Sequence, residues 1–146
     1  MKKLLCPEFF LGDKVTPEQS DFFHKNGVIV FRNVLKPETV ALMAQNHIGA
    51  LNVQPMISQN EETSCDVDLF PGMAVKWGLT FLINTQDVPG RRSAGSLAWA
   101  GVRNTYYWID PVRHVGGVFM TQVLPFADPT TLRVFADFER AVYASL

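Results

Sequence analysis

GSLAWAGVRNTYYWIDP, Gly95 to Pro111, sets the architecture of this chain. Two apolar and aromatic runs, Ala94–Gly101 and Asn104–Asp110, are separated by a two-residue step at Val102-Arg103, the signature of two strands joined by a tight hairpin. Outward from this pair the same strand-like pattern continues. WGLTFLIN (Trp77–Asn84) precedes it and GGVFMTQVL (Gly116–Leu124) follows it. The connectors TQDVPGRRS and PVRHV are short enough for antiparallel hairpins, and no parallel crossover fits between these strands. The reading is an α+β chain whose antiparallel sheet has three to four strands, over about 77–84, 94–101, 104–110 and 116–124. A C-terminal helix over about 129–145 packs on one face, and two short helices stand at the N-terminal side.

The helices are written by their ends. Thr16-Pro17-Glu18-Gln19 is a threonine N-cap with proline at the first helical position and a glutamine placed to close a capping box, so a helix runs from Pro17 to about Lys25. Gly27 supplies a left-handed C-cap. VIVF follows as a short strand, and Pro37 opens a second helix through ETVALMAQ, with Val40, Leu42 and Met43 near one face. Residues 46–73 have no clean period and read as a long connection. In the last segment Asp128 caps, Pro129 takes the first position, and Leu132, Phe135, Phe138 and Val142 repeat at helical spacing.

The 146 residues suit one core, and their net charge of -1 with 18% charged residues argues against a polyanion-binding surface, so nucleic acid is excluded as a partner. Cys6 and Cys65 are too few for a disulfide framework and stand in no C-x-x-C pair; both read as plain thiols. MKKLLCPEFF imitates an export signal, but its apolar part stops at Pro7, and no run reaches the ~18 apolar residues of a membrane span. The chain is expected to be soluble and cytoplasmic, with no cofactor and no metal.

The sheet segment from Trp77 to Pro111, with GVFMTQVLPFADP and FERAVY after it, resembles the C-terminal part of the serine beta-lactamase-like family of penicillin-binding proteins, class C beta-lactamases and esterases. The resemblance extends back through VLKPETVALMAQNHIG, so that it covers about residues 34–146 of an incomplete domain. In that family a Lys/His-Ser/Thr-Gly triplet, or Trp-x-Gly in the esterase-like branch, lies on the strand edging the active site. Trp99-Ala100-Gly101 holds that place here. The resemblance implies a substrate-binding wall of Trp99, Ala100, Gly101 and Val102, with the Val102 N–H as an oxyanion donor, and an ancestral substrate that was a small ester or beta-lactam. A glycine at such an edge admits the close approach that a Cβ would block. Periodicity alone reads Trp99, Tyr106 and Trp108 as sheet residues packed under a helix.

The family's nucleophile is the serine of Ser-x-x-Lys. Three residues after Ser20, Ser58, Ser64, Ser93 and Ser96 stand Phe23, Glu61, Val67, Ser96 and Trp99, and Ser145 is too near the end. Tyr-x-Asn is absent as well, and Ser58-Gln59-Asn60 lies too close to Trp99 to be the second motif. No catalytic residue is assigned, and the chain alone is expected to be inactive. Residues 15–40, VTPEQSDFFHKNGVIVFRNVLKPETV, are similar to the start of phytanoyl-CoA dioxygenase-like proteins. That family's chemistry needs His-x-Asp or His-x-Glu, whereas His24, His47 and His114 are followed two places on by Asn26, Gly49 and Gly116. The two resemblances meet at VLKPETV, which implies a fusion, a truncation or an artificial junction, with residues 1–33 of different resemblance from 34–146.

Other chemistry-bearing residues read as structural. His47, Cys65, Asp66 and Asp68 stand at no metal-ligand spacing and read as polar loop residues. Lys76 reads as solvated, Arg91-Arg92 as a charged hairpin tip that discourages edge pairing, and Asp110-Pro111 as a turn. The alternative to a hydrolase remnant is a non-catalytic module that binds itself or a partner, a homo-oligomer formed through exposed sheet.

Overall fold

The computed structural model describes residues 8–146, so the reading of Cys6 and of the segment before Glu8 lies outside the described residues. The chain divides into two compact units, Met1–Val40 and Ala41–Leu146. In the first, β1 (Glu8–Phe10) and β2 (Val30–Arg32) pair in parallel through α1 (Pro17–Asn26). The capping box forms as the sequence implies: Thr16 Oγ1 accepts from Gln19 N at 3.3 Å, and Gln19 Oε1 accepts from Thr16 N at 2.9 Å. Gly27 closes the helix at φ 72°. Gln19 also donates to the Phe10 carbonyl, and the Phe9 and Phe22 rings meet at 5.1 Å. The strand expected at Val28 starts two residues later. The second helix, α2 (Pro37–Met43), stops short of Gln45, and the apolar face expected on it is not buried: Val40 and Leu42 are exposed.

The second unit is built on a five-stranded antiparallel sheet in sequence order, β3 (Val75–Trp77), β4 (Leu82–Asn84), β5 (Leu97–Gly101), β6 (Thr105–Asp110) and β7 (Val115–Phe119), with α3 (Pro129–Ala144) following. The α+β architecture is the expected one, with a fifth strand because Trp77–Asn84 folds back on itself. Gly78 N donates to the Phe81 carbonyl at 2.8 Å, and Thr80 sits at φ 74°. A Cβ on Gly78 would lie 2.2 Å from the Met43 carbonyl oxygen, so glycine is required there. The β5–β6 turn holds three residues, Val102 to Asn104, with Asn104 at φ 57°, the left-handed position of a bulged hairpin. Strand β7 ends at Phe119 because the chain then turns to other partners. Thr121 Oγ1 donates to the Arg103 carbonyl at 2.6 Å, and Phe126 pairs with Thr63 and Cys65.

Alternation divides β5 and β6 into two faces. Ala98 and Ala100 lie opposite Trp108 and Tyr106, and these form one core with Phe119, Leu132, Phe135, Val142 and Tyr143. Helix α3 covers that face. Asp128 caps it by accepting from Thr131 N at 2.7 Å, and Phe135 stacks on Tyr106 at 4.8 Å between ring centres. A Cβ on Gly117 would lie 2.1 Å from the Trp108 ring, which fixes glycine beneath the indole. The long connection is irregular as expected but pinned along β3: His47 N donates to the Trp77 carbonyl, Val53 N to Val75, and Met56 and Val67 exchange a pair of bonds. Among the described residues no helix is long and apolar enough to cross a membrane.

Candidate functional site

Strand β5 brings Trp99, Ala100 and Gly101 to an open edge. Of β5, β4 pairs only with Leu97 and Ala98, so beyond Ala98 the outer side of β5 has no neighbouring strand among the described residues. Trp99 meets Trp77 edge-on at 4.6 Å, and across β6 Tyr107 meets Phe81 at 6.5 Å. Val102 follows in the turn and is 61% exposed. Gly101 differs from Gly117 and Gly78 in one physical respect. A Cβ there would meet nothing closer than Thr105 at 3.7 Å, an ordinary contact, and its φ is not positive. Its own fold therefore leaves room for a side chain at Gly101.

The segment leading into β5 is held by buried ionic contacts that the sequence reading missed. Glu139 is fully buried on α3. It accepts from Arg91 Nε and Nη2 at 3.0 and 2.7 Å, and from Arg92 Nε, Nη2 and backbone N at 2.7, 2.8 and 3.3 Å. The hairpin-tip reading of Arg91-Arg92 is thus corrected. Arg92 is 2% exposed, and its guanidinium lies 5.6–5.9 Å from the Phe70, Trp108 and Phe135 rings. The physical reason is that α3 carries a carboxylate on its apolar stripe, one turn after Phe135, and a buried carboxylate needs cations. Burial alone would raise the Glu139 carboxyl, but the hydrogen bonds and charges of Arg92 and Arg91 outweigh it and hold it below its ordinary range. That spacing, with two arginines ahead of a strand, was the available signal.

Asp110 completes the anchorage. Its Oδ1 accepts from Val112 and Arg113 N, the turn role read from the sequence, and its Oδ2 accepts from Ser93 N and the Tyr143 hydroxyl, both at 2.8 Å. Burial would raise this carboxyl, yet those bonds win and bring it to about 2. Burial and the Asp110 bond push the Tyr143 phenol up, and burial takes Tyr106 up to about 12. Asn104, fully buried, donates to the Val123 and Pro125 carbonyls and accepts from the Tyr106 hydroxyl at 2.7 Å. Behind the β5 edge lies a cavity of about 200 Å³, bounded by Phe70, Arg92, Ala98, Trp99, Ala100 and Phe135 among others.

The remaining sequence candidates are not gathered into this site. Lys76, read as solvated, is half-buried and donates to the Gly49 and Leu51 carbonyls at 3.1 and 2.6 Å, tying the connection to β3. Asp66 accepts from Ser58 N and Asp68 from Phe70 N, both as loop caps. Ser58 and Ser64 share a hydroxyl bond of 2.7 Å in the connection. His47 Nε2 bonds the Leu42 carbonyl, and His114 sits in the β6–β7 turn at φ 53°.

No family model matches the chain. Among known proteins it is similar to acyltransferase calJ of Penicillium decumbens, 27% identical over 114 residues, covering 76% of this chain and 27% of that protein. It is similar as well to monacolin J acid methylbutanoyltransferase of Aspergillus terreus, 28% identical over 117 residues, covering 76% of this chain and 28% of the other. Among solved structures, unliganded simvastatin synthase (LovD) of Aspergillus terreus superposes with a TM-score of 0.64 at 27% identity, over 77% of this chain and 29% of that one. The relatives are acyltransferases at low identity, and the likeness falls on the C-terminal part of this chain, in keeping with the serine beta-lactamase-like resemblance. The chain spans less than a third of the length of the relatives it matches.

Proposed function

We propose that this chain is the C-terminal portion of an acyl-transfer or ester-hydrolysing protein of the serine beta-lactamase-like type. Trp99, Ala100, Gly101 and the Val102 N–H form one wall of its acyl site, and the portion alone is inactive for want of a Ser-x-x-Lys nucleophile. The observation that carries this reading is the likeness to acyltransferases over about three quarters of the chain. The open β5 edge supports it, and so does a glycine at Gly101 for which the fold itself has no steric need. An oxyanion wall requires a close backbone approach, and that is what such a glycine leaves free. The substrate class is a small ester or beta-lactam. The test is incubation with a chromogenic ester and a chromogenic cephalosporin: no turnover above a heat-killed control is expected. Turnover that a serine-directed inhibitor blocks overturns the inactive reading.

A second reading is self-association through sheet, favoured by the apolar residues Ile109 and Val118, 43% and 61% exposed on the face away from α3. Exposed apolar sheet promotes association. Light scattering on a size-exclusion column is expected to show a mass above the monomer that an Ile109→Lys/Val118→Lys variant lowers. A monomer at high concentration removes this reading.

A further inference from the structure

Two permanent positive charges converge on one buried carboxylate. Glu139 takes Nε and Nη2 of both Arg91 and Arg92, and Nη1 of each donates to no protein atom among the described residues. Both arginines border the cavity of about 200 Å³ behind β5. The rest of its wall is chiefly apolar, with Ala98 and Ala100 from the sheet and Leu132, Phe135 and Ala136 from α3. Asp68 stands at the rim, exposed, its Oδ1 already engaged by Phe70 N. The exposed Asp68 is screened by water, whereas Arg92 is 2% exposed and lies among three aromatic rings. Glu139 matches one of the two charges. The other buried carboxylate, Asp110, is engaged by Ser93, Val112, Arg113 and Tyr143 and forms no ion pair with either arginine among the described residues. Arg91, 17% exposed, is left in excess, and a second anion there offsets the cost of a partly buried cation.

We propose that this cavity binds a small amphipathic carboxylate, an aliphatic or aromatic acid of about six to nine heavy atoms, with its tail on Ala100, Leu132, Phe135 and Ala136 and its carboxylate at Arg91 and Arg92. The size follows from volume, since an apolar cavity of about 150 Å³ holds a benzene ring. The charge follows from the arginine surplus. No nucleophile is involved, so the binding stands apart from any ester turnover, and each can fail without the other.

The test is calorimetric titration of the full chain with hexanoate, hexanol and hexylammonium. Saturable one-to-one binding of hexanoate is expected, at least tenfold tighter than hexanol, with no binding of hexylammonium. Arg91→Gln, at the more exposed of the two arginines, is expected to abolish the preference for hexanoate while hexanol binding persists. Ala136→Phe and Ala100→Leu fill the cavity from opposite walls, and each is expected to abolish hexanoate binding in a chain that still melts cooperatively. In the unaltered chain, nuclear Overhauser contacts from labelled hexanoate are expected on Leu132 and Phe135, a readout independent of whether the variants fold. Hexanoate binding no tighter than hexanol, no binding at all, or contacts placed elsewhere overturns the proposal.

Discussion

Trp108 and Ile109 are neighbours on β6, yet the first is 1% exposed and the second 43%. Nothing in their local sequence separates them beyond the alternation of a strand. What separates them is α3, which returns over one face of the sheet and brings Phe135, Phe138 and Tyr143 against the Trp108 ring. On the other face Ile109 and Val118 stay open. The covered face is therefore where this unit's stability lies. The part of the open face around Ile109 and Val118, and the outer side of β5 beyond Ala98, are surfaces the described chain does not use for itself.

The covered face should therefore break hard. Glu139→Ala leaves two guanidinium groups with no counter-charge, and breaking a buried pair by removing one partner costs about 3–5 kcal/mol. Urea unfolding followed by circular dichroism is expected to show that loss. Asp137→Ala, which removes the exposed partner of Arg140, should change stability by less than about 1 kcal/mol. Equal effects from the two would mean that burial of the ionic contact is not what matters.

Acid attacks the same face. Asp110 is lowered from its ordinary value to about 2, so its contribution is complete above about pH 4 and is lost as pH falls through about 2. Glu139, lowered as well, acts in the same direction. For Asp110 the loss amounts to about 2 kcal/mol, since each pKa unit is worth about 1.4 kcal/mol. Melting temperatures between pH 5 and pH 2 are expected to fall, and to fall less steeply in Asp110→Asn. A flat profile would show that the hydrogen bonds from Ser93 and Tyr143 do not hold the carboxylate ionised.

Much of this division was legible in the sequence. The alternation of Ala98, Ala100, Tyr106 and Trp108, and the helical spacing of Leu132, Phe135 and Val142, specify a sheet face and the helix stripe that meets it. The caps at Thr16, Gly27 and Asp128 were equally plain, because each depends on chemistry within four residues. What was not legible depends on distant partners. Arg91-Arg92 lies 47 to 48 positions from Glu139, and a polar dipeptide ahead of a strand reads as surface until its counter-charge is placed. Gly78 could be read as a strand glycine, since the Met43 carbonyl that crowds it comes from α2. For the candidate wall, the sequence located the Trp99–Gly101 triplet on a strand. It could not reveal that β4 stops pairing at Ala98 and leaves that edge open.

The smallest effect should come from Gly101, and its contrast with Gly117 separates the two sides most cleanly. Gly117→Ala places a Cβ 2.1 Å from the Trp108 ring, overpacking that costs about 1–3 kcal/mol. Gly101→Ala meets only Thr105 at 3.7 Å and requires no left-handed backbone, so its effect on stability should stay within about 0.5 kcal/mol. Thermal melts of the two variants give the comparison directly. If Gly101→Ala destabilised the chain as much as Gly117→Ala, glycine at the β5 edge would be explained by folding alone, and the wall would lose its strongest internal support. If Gly101→Ala is neutral, the missing Cβ answers to something outside this unit. The same substitution, made in a longer relative that turns over an acyl ester, should then lower kcat while leaving its melting temperature unchanged.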